Sequence, residues 1–85
     1  MPLVKPRRKK YVEIYLINDN TTTFQHVIES LSATIPRCSV LRAEQIALIT
    51  HNTGACHIYT GRSNIAAMVQ SSLISRKLKI LTKFK

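Results

Sequence analysis

The chain has 85 residues, which is enough for one small domain and too few for two. Its 45% apolar residues exclude a disordered tail, and its formal net charge of +9 excludes an acidic-tail protein. No apolar run approaches the roughly 20 residues of a membrane span, and the start, MPLVKPRRKK, lacks the apolar stretch of a signal peptide. We therefore expect no membrane association.

The first ten residues are strongly basic. They contain five of the 13 Lys and Arg residues together with Pro2 and Pro6. Five more basic residues lie in the last ten positions, and the charges between the two ends nearly balance. This distribution predicts a flexible basic N-terminal arm over residues 1–10 and a folded domain over residues 11–85.

The first predicted element is a strand over residues 11–17, where YVEIYLI is rich in β-branched and aromatic side chains. An Asn-Asp-Asn turn over residues 18–20 follows it. A helix is then predicted with Thr22 as its N-cap, because Gln25 follows three residues later as in a capping box. Its apolar residues recur at helical spacing until Pro36 ends the run.

A second helix is predicted over residues 41–52, with Gly54 as its stop. The alternating segment over residues 55–60 predicts the second strand. Ser63 is predicted to cap a third helix, whose buried stripe is expected to consist of Ile65, Met68, Val69, Ser72 and Leu73.

The last predicted strand begins at Leu78 and alternates with period two. Leu78, Ile80 and Thr82 are expected on its inner face, and Lys77, Lys79 and Lys83 on its outer face. The order β-α-α-β-α-β predicts an α+β fold, in which a small three-stranded antiparallel sheet carries three helices on one face.

The sequence contains no recognisable catalytic or metal-binding motif. None of the four acidic residues is a close sequence neighbour of another, so a carboxylate pair for acid–base catalysis is not expected. The two cysteines and three histidines lack metal-ligand spacing, and the two glycines form no phosphate-binding loop. We predict no enzyme, no metal and no cofactor, and two inert thiols, Cys38 and Cys56, in a reducing compartment.

One polar cluster remains on the apolar background. Asn18 and Asp19 leave the first strand, and His51 lies near the end of the second helix, close to Ala47 and Thr50 on the helix surface. From spacing alone, two interpretations stay open. The cluster is either a binding site, or an ordinary turn and a histidine favoured by the helix dipole.

With these residues the chain resembles the ClpS family, the adaptors that deliver N-degron substrates to the AAA+ unfoldase of the Clp protease. The resemblance covers about residues 11 to 84, in the family's order and spacing. Its matching pieces are Asn18-Asp19 with Thr22, Phe24-x-x-Val27-Ile28-x-x-Leu31, Ala43-Glu44-Gln45-x-Ala47-Leu48-Ile49-x-His51, Gly54, Tyr59-Thr60-Gly61 and Leu78-x-Ile80.

The resemblance implies a non-enzymatic adaptor that binds substrates whose first residue is Leu, Phe, Tyr or Trp. Asn18, Asp19 and His51 would receive the free α-amino group. The first side chain would enter an apolar pocket lined by Ile17, Thr22, Phe24, Val27, Ala47, Thr50 and Leu78. Phe24 and Ala47 stand where many members carry Met. The third helix starts with Gly61-Arg62-Ser63-Asn64, where many members place acidic residues near the unfoldase contact.

The expected partners are N-degron proteins or peptides and the N-domain of a Clp AAA+ unfoldase, bound by a monomer. Two alternatives stay open. One is a small basic nucleic-acid-binding protein, which the charge of +9 favours and the lack of an RNA-binding motif opposes. The other is a ClpS-like domain with a ubiquitin-ligase-like or regulatory role. A bacterial cytoplasm is the expected location, with an organelle such as a plastid as the alternative.

Overall fold

The structure is a computed structural model that describes residues 11–84, so the predicted basic arm over residues 1–10 lies outside the described residues. The predicted order of strands and helices is confirmed. Its elements are β1 (Tyr11–Ile17), α1 (Phe24–Thr34), α2 (Val40–Thr53), β2 (Ala55–Arg62), α3 (Ser63–Ser75) and β3 (Ile80–Phe84).

The sheet has three antiparallel strands in the order β2-β1-β3, with β1 in the centre. Along β2 the register shifts by one residue where Ile14 pairs with Tyr59 and Tyr15 pairs with His57. Ile58 is the extra residue of this irregularity and is buried. The shift lets both Ile58 and Tyr59 pack against the core, while His57 stays beside Tyr15.

The core lies between the sheet and the three helices. Val12, Ile14 and Leu16 alternate along β1 and are all buried, as the period-two pattern predicts. Leu31 of α1 and Leu73 of α3 are fully buried against them. No helix within residues 11–84 is long and apolar enough to cross a membrane.

Two details of the helix predictions are wrong. Thr23, not Thr22, is the N-cap of α1, and its side chain accepts a hydrogen bond from the His26 backbone N–H. The buried stripe of α3 consists of Ala66, Val69 and Leu73, whereas Ile65 and Met68 are 41% and 67% exposed. Ser72 is exposed as well. Ala66, Val69 and Leu73 follow helical spacing and share the face that meets the sheet, whereas Ile65 and Met68 lie off that face.

The end of α3 also differs from the prediction, because β3 begins at Ile80 rather than Leu78. Lys77 has a φ of 65°, in the left-handed region. The N–H of Leu78 donates to the carbonyl of Leu73, and the N–H of Lys77 donates to that of Ile74. These two bonds form a Schellman motif, which turns the chain sharply before the strand. Lys77 and Lys79 therefore precede the strand.

Candidate ligand-binding site

A cavity of about 200 Å³ opens where the end of β1, the start of α1, the last turns of α2 and the approach to β3 meet. All ten residues predicted for the site line this one cavity. They are Ile17, Asn18, Asp19, Thr22, Phe24, Val27, Ala47, Thr50, His51 and Leu78. The structure thus brings the residues together, and their role in binding stays a prediction.

Gly54 joins the two parts of the chain that carry the polar cluster. It ends α2 with a φ of 97°, a conformation that glycine adopts without steric cost, and its N–H donates to the Thr50 carbonyl over 2.8 Å. Its own carbonyl accepts a hydrogen bond of 2.9 Å from the Asn18 backbone N–H. This connection holds the exit of β1 against the last turn of α2, beside His51.

Asp19 is fixed by a local turn. Its Oδ1 accepts hydrogen bonds from the Thr21 backbone N–H, at 3.0 Å, and from the Thr21 hydroxyl, at 2.8 Å. The backbone bond has the largest effect in lowering the pKa of Asp19, and the hydroxyl bond lowers it further. The charge of Lys79 acts in the same direction. No hydrogen bond within residues 11–84 occupies Oδ2. The carboxylate is therefore ionised and keeps an acceptor oxygen for a ligand.

His51 of α2 and Phe24 at the start of α1 lie side by side in the lining of the cavity. Their rings meet edge to face, with centroids 6.3 Å apart. Both side chains are largely exposed; Phe24 retains 44% of its accessible surface. The contact orients the imidazole at the rim of the cavity.

Apolar surface forms the inner wall. Ala47, Thr50 and Leu78 are 4%, 3% and 6% exposed, so almost all of each side chain is enclosed. The Thr50 hydroxyl donates to the Ile46 carbonyl over 2.8 Å, which satisfies its polar group within α2. The Schellman motif places Leu78 in this wall. Polar groups therefore gather at the rim, and apolar groups enclose the interior.

Three lining residues were not predicted: Leu16, Asn20 and Lys79. Leu16 and Asn20 flank predicted positions, so proximity along the chain could have indicated them. The alternating pattern could not indicate that Lys79 lines the cavity. It places Lys79 on the outer face of a strand that begins at Leu78, whereas β3 begins at Ile80. No group of three His, Cys, Asp or Glu side chains able to hold a metal ion occurs among residues 11–84.

The site can now be compared with known proteins. A sequence profile of the ClpS family, described as the ATP-dependent Clp protease adaptor protein ClpS, matches residues 7–80. The chain belongs to the ClpS family. Members of this family are adaptors of the Clp protease rather than enzymes.

A solved ClpS structure has the same fold. It is Agrobacterium tumefaciens ClpS2 bound to L-phenylalaninamide, which superposes with a TM-score of 0.79 at 21% sequence identity. The match covers 92% of this chain and 100% of the ClpS2 chain. No curated protein sequence gives a significant match. The predicted α+β fold is thereby confirmed.

Proposed function

We propose that this ClpS-family chain binds the free α-amino group and the bulky first residue of N-degron substrates and delivers them to a Clp AAA+ unfoldase. The first residues expected are Leu, Phe, Tyr and Trp. One observation carries the proposal: three polar acceptor side chains lie on the rim of a single apolar cavity. The ClpS2 structure with its bound amino-acid amide supports the same ligand class.

The rim suits an ammonium group. A free α-amino group is largely protonated near neutrality and has three N–H donors. In the proposed complex the Asn18 side-chain oxygen, the Asp19 carboxylate and a neutral ring nitrogen of His51 accept these donors. Burying the ammonium without partners costs several kcal/mol, so a substrate must present it to all three. An acetylated or internal residue has no such group and is expected to be rejected.

The interior suits one large apolar side chain. Since a cavity of about 150 Å³ accommodates benzene, the space of about 200 Å³ is large enough for a phenylalanine ring. Burial of a Leu or Phe side chain contributes about 1.5–3 kcal/mol. Together with the hydrogen bonds at the rim, and after the entropy cost of association, we expect micromolar affinity.

Residues at the wall set which first residues enter. Ala47 is short and Phe24 is stiff, whereas the family resemblance places Met at both positions. The shorter wall beside Ala47 leaves room near the base of the first side chain. We therefore expect discrimination between Leu and β-branched Val to be weaker than a methionine wall would give.

Delivery requires a second contact, with the N-domain of a Clp unfoldase. α3 has no acidic residue in its first turn and begins beside Arg62, so docking through an acidic cluster at that position is not expected here. Capture of a purified Clp unfoldase in the presence of a bound substrate supports delivery. Failure of that capture with intact peptide binding favours the ubiquitin-ligase-like or regulatory alternative.

The experiment is a fluorescence-anisotropy titration with labelled peptides that begin with Phe, Leu, Val and Met, and with an N-acetyl-Phe peptide. We expect micromolar binding of the Phe and Leu peptides. Acetylation should weaken binding at least about tenfold, because it removes the charge and the donors. Equal affinity for the acetylated peptide would contradict the proposal.

His51→Ala should weaken binding of the Phe peptide, whereas the control His57→Ala should not. His57 packs edge to face on Tyr15 on the sheet and does not line the cavity. Unchanged binding of the Phe peptide by His51→Ala would remove His51 from the mechanism.

A further inference from the structure

Lys79 brings a positive charge to the mouth of the cavity. It lines the cavity directly after Leu78, and its carbonyl accepts a hydrogen bond of 2.9 Å from the Ile17 backbone N–H. This bond fixes its backbone beside the exit of β1, one residue before Asn18. Its side chain is exposed, and its charge acts on the Asp19 carboxylate.

The Lys79 charge affects the binding of a positively charged ligand, because the cavity lining carries few other charges. Only Asp19 and Lys79 carry a formal charge among the lining residues when His51 is neutral, so the two cancel. A ligand ammonium then adds an uncompensated positive charge between them. Lys79 therefore weakens the binding of a ligand whose only charge is its α-amino group. A ligand that also supplies a nearby negative charge removes this penalty.

The position of that negative charge follows from the geometry of a peptide. When the first side chain fills the cavity and the ammonium lies at the rim, the second residue is the first to leave the mouth. Its Cα is about 3.8 Å from that of the first residue, within reach of a flexible lysine side chain at the same rim.

We propose that Lys79 is a specificity-determining residue that favours substrates with Asp or Glu as their second residue. The inference rests on the function proposed above and adds a second position to its recognition. Among the residues that line the cavity, Lys79 is the lysine whose charge a second side chain would meet. Because the pair is exposed to solvent, the expected preference is modest, about two- to fivefold at low salt.

The test compares three peptides that begin Phe-Asp, Phe-Ser and Phe-Lys and are otherwise identical. Wild-type affinity should decrease in that order. Lys79→Gln should bring the three affinities to within about 1.5-fold, and Lys79→Glu should reverse the order. Raising the salt to about 1 M should reduce the wild-type preference in the same way.

Lys83→Gln is the matched control. Lys83 lies over the Tyr15 ring, 5.3 Å from its centroid, on the sheet and away from the lining residues. The order of the three affinities should survive this change. If Lys79→Gln keeps the wild-type order, or if Lys83→Gln abolishes it, the inference is overturned.

The two proposals fail in different ways. If wild-type protein does not bind the Phe-Ser peptide with its free amine, the proposed function is contradicted. If it binds Phe-Ser but does not prefer Phe-Asp over Phe-Lys, only the role of Lys79 is contradicted.

Discussion

The closed core and the open cavity both include residues of β1, α1 and α2, yet they differ in what covers their apolar side chains. Leu31 of α1 is fully buried by other residues of the chain, whereas Phe24, two turns earlier on the same helix, is 44% exposed. The core is filled by the protein itself. The cavity is open to solvent, and the polar groups gather at its rim.

This difference separates stability from recognition. Truncating a side chain in the core leaves an empty space that lowers the free energy of unfolding. Truncating one at the cavity only enlarges a space that solvent already reaches. Changes in the core should therefore alter unfolding, and changes at the cavity should alter binding.

The largest expected effect is on Leu31. Leu31→Ala should lower the free energy of unfolding by about 2–5 kcal/mol, because it removes a fully buried side chain from a thin core. Urea denaturation followed by circular dichroism measures the change. Phe24→Ala is the counterpart: it should lower stability by less than about 1 kcal/mol while weakening the binding of a Phe peptide. Equal losses of stability in the two variants would contradict the separation.

Gly54 connects the end of α2 to the exit of β1, so a change there should affect both stability and binding. Gly54→Ala forces an alanine into a φ of 97° and should cost about 1–2 kcal/mol of stability. No heavy atom lies within 4 Å of the added Cβ, so the cost is one of backbone conformation and not of crowding. Binding should weaken as well, since the Gly54 carbonyl holds Asn18.

Gly54→Asn is the matched control, because asparagine tolerates the left-handed region better than alanine. It should recover part of both losses in the same denaturation and titration experiments. A Gly54→Asn variant that is no more stable than Gly54→Ala would show that backbone conformation is not the cause.

The smallest expected effect concerns the turn at Asp19. Hydrogen bonds from Thr21 hold the pKa of Asp19 below its ordinary value of 3.8. The ionised carboxylate therefore stabilises the folded turn above that value, and the stabilisation is lost as the pH falls through the lowered pKa. Thr21→Val removes the hydroxyl bond and keeps the backbone bond, so the pKa of Asp19 should rise only part of the way toward its ordinary value of 3.8. An NMR titration of the carboxyl carbon measures it, and an unchanged pKa would contradict the assignment.

The fold could be predicted from the sequence wherever a single local signal, such as period-two alternation or a helix-ending glycine, determined the element. The alternation of Val12, Ile14 and Leu16 gave the bounds of β1, and Gly54 gave the end of α2. The pattern failed on α3, where hydrophobicity favoured Ile65 and Met68 for the buried stripe. The face that meets the sheet instead contains Ala66, which shares it with Val69 and Leu73.

The site was harder to predict than the fold. Spacing alone allowed either a turn or a binding site for Asn18, Asp19 and His51. Their convergence depends on the pairing of β1 with β2 and on the bond from Asn18 to Gly54, which join distant parts of the chain. The family resemblance was what assigned these three residues to one site. Lys79 was missed because the left-handed turn at Lys77 delays the strand, and no propensity of lysine signals such a turn.

The most direct test of the central claim is a two-dimensional NMR titration of this protein with L-phenylalaninamide and, separately, with its N-acetyl derivative. We expect the free amine to shift the amide signals of the residues that line the cavity, Asn18 and His51 among them. The acetylated compound should shift them little at the same concentration. Equal shifts with both compounds, or shifts confined to the open face of the sheet around Tyr15 and His57, would contradict that claim.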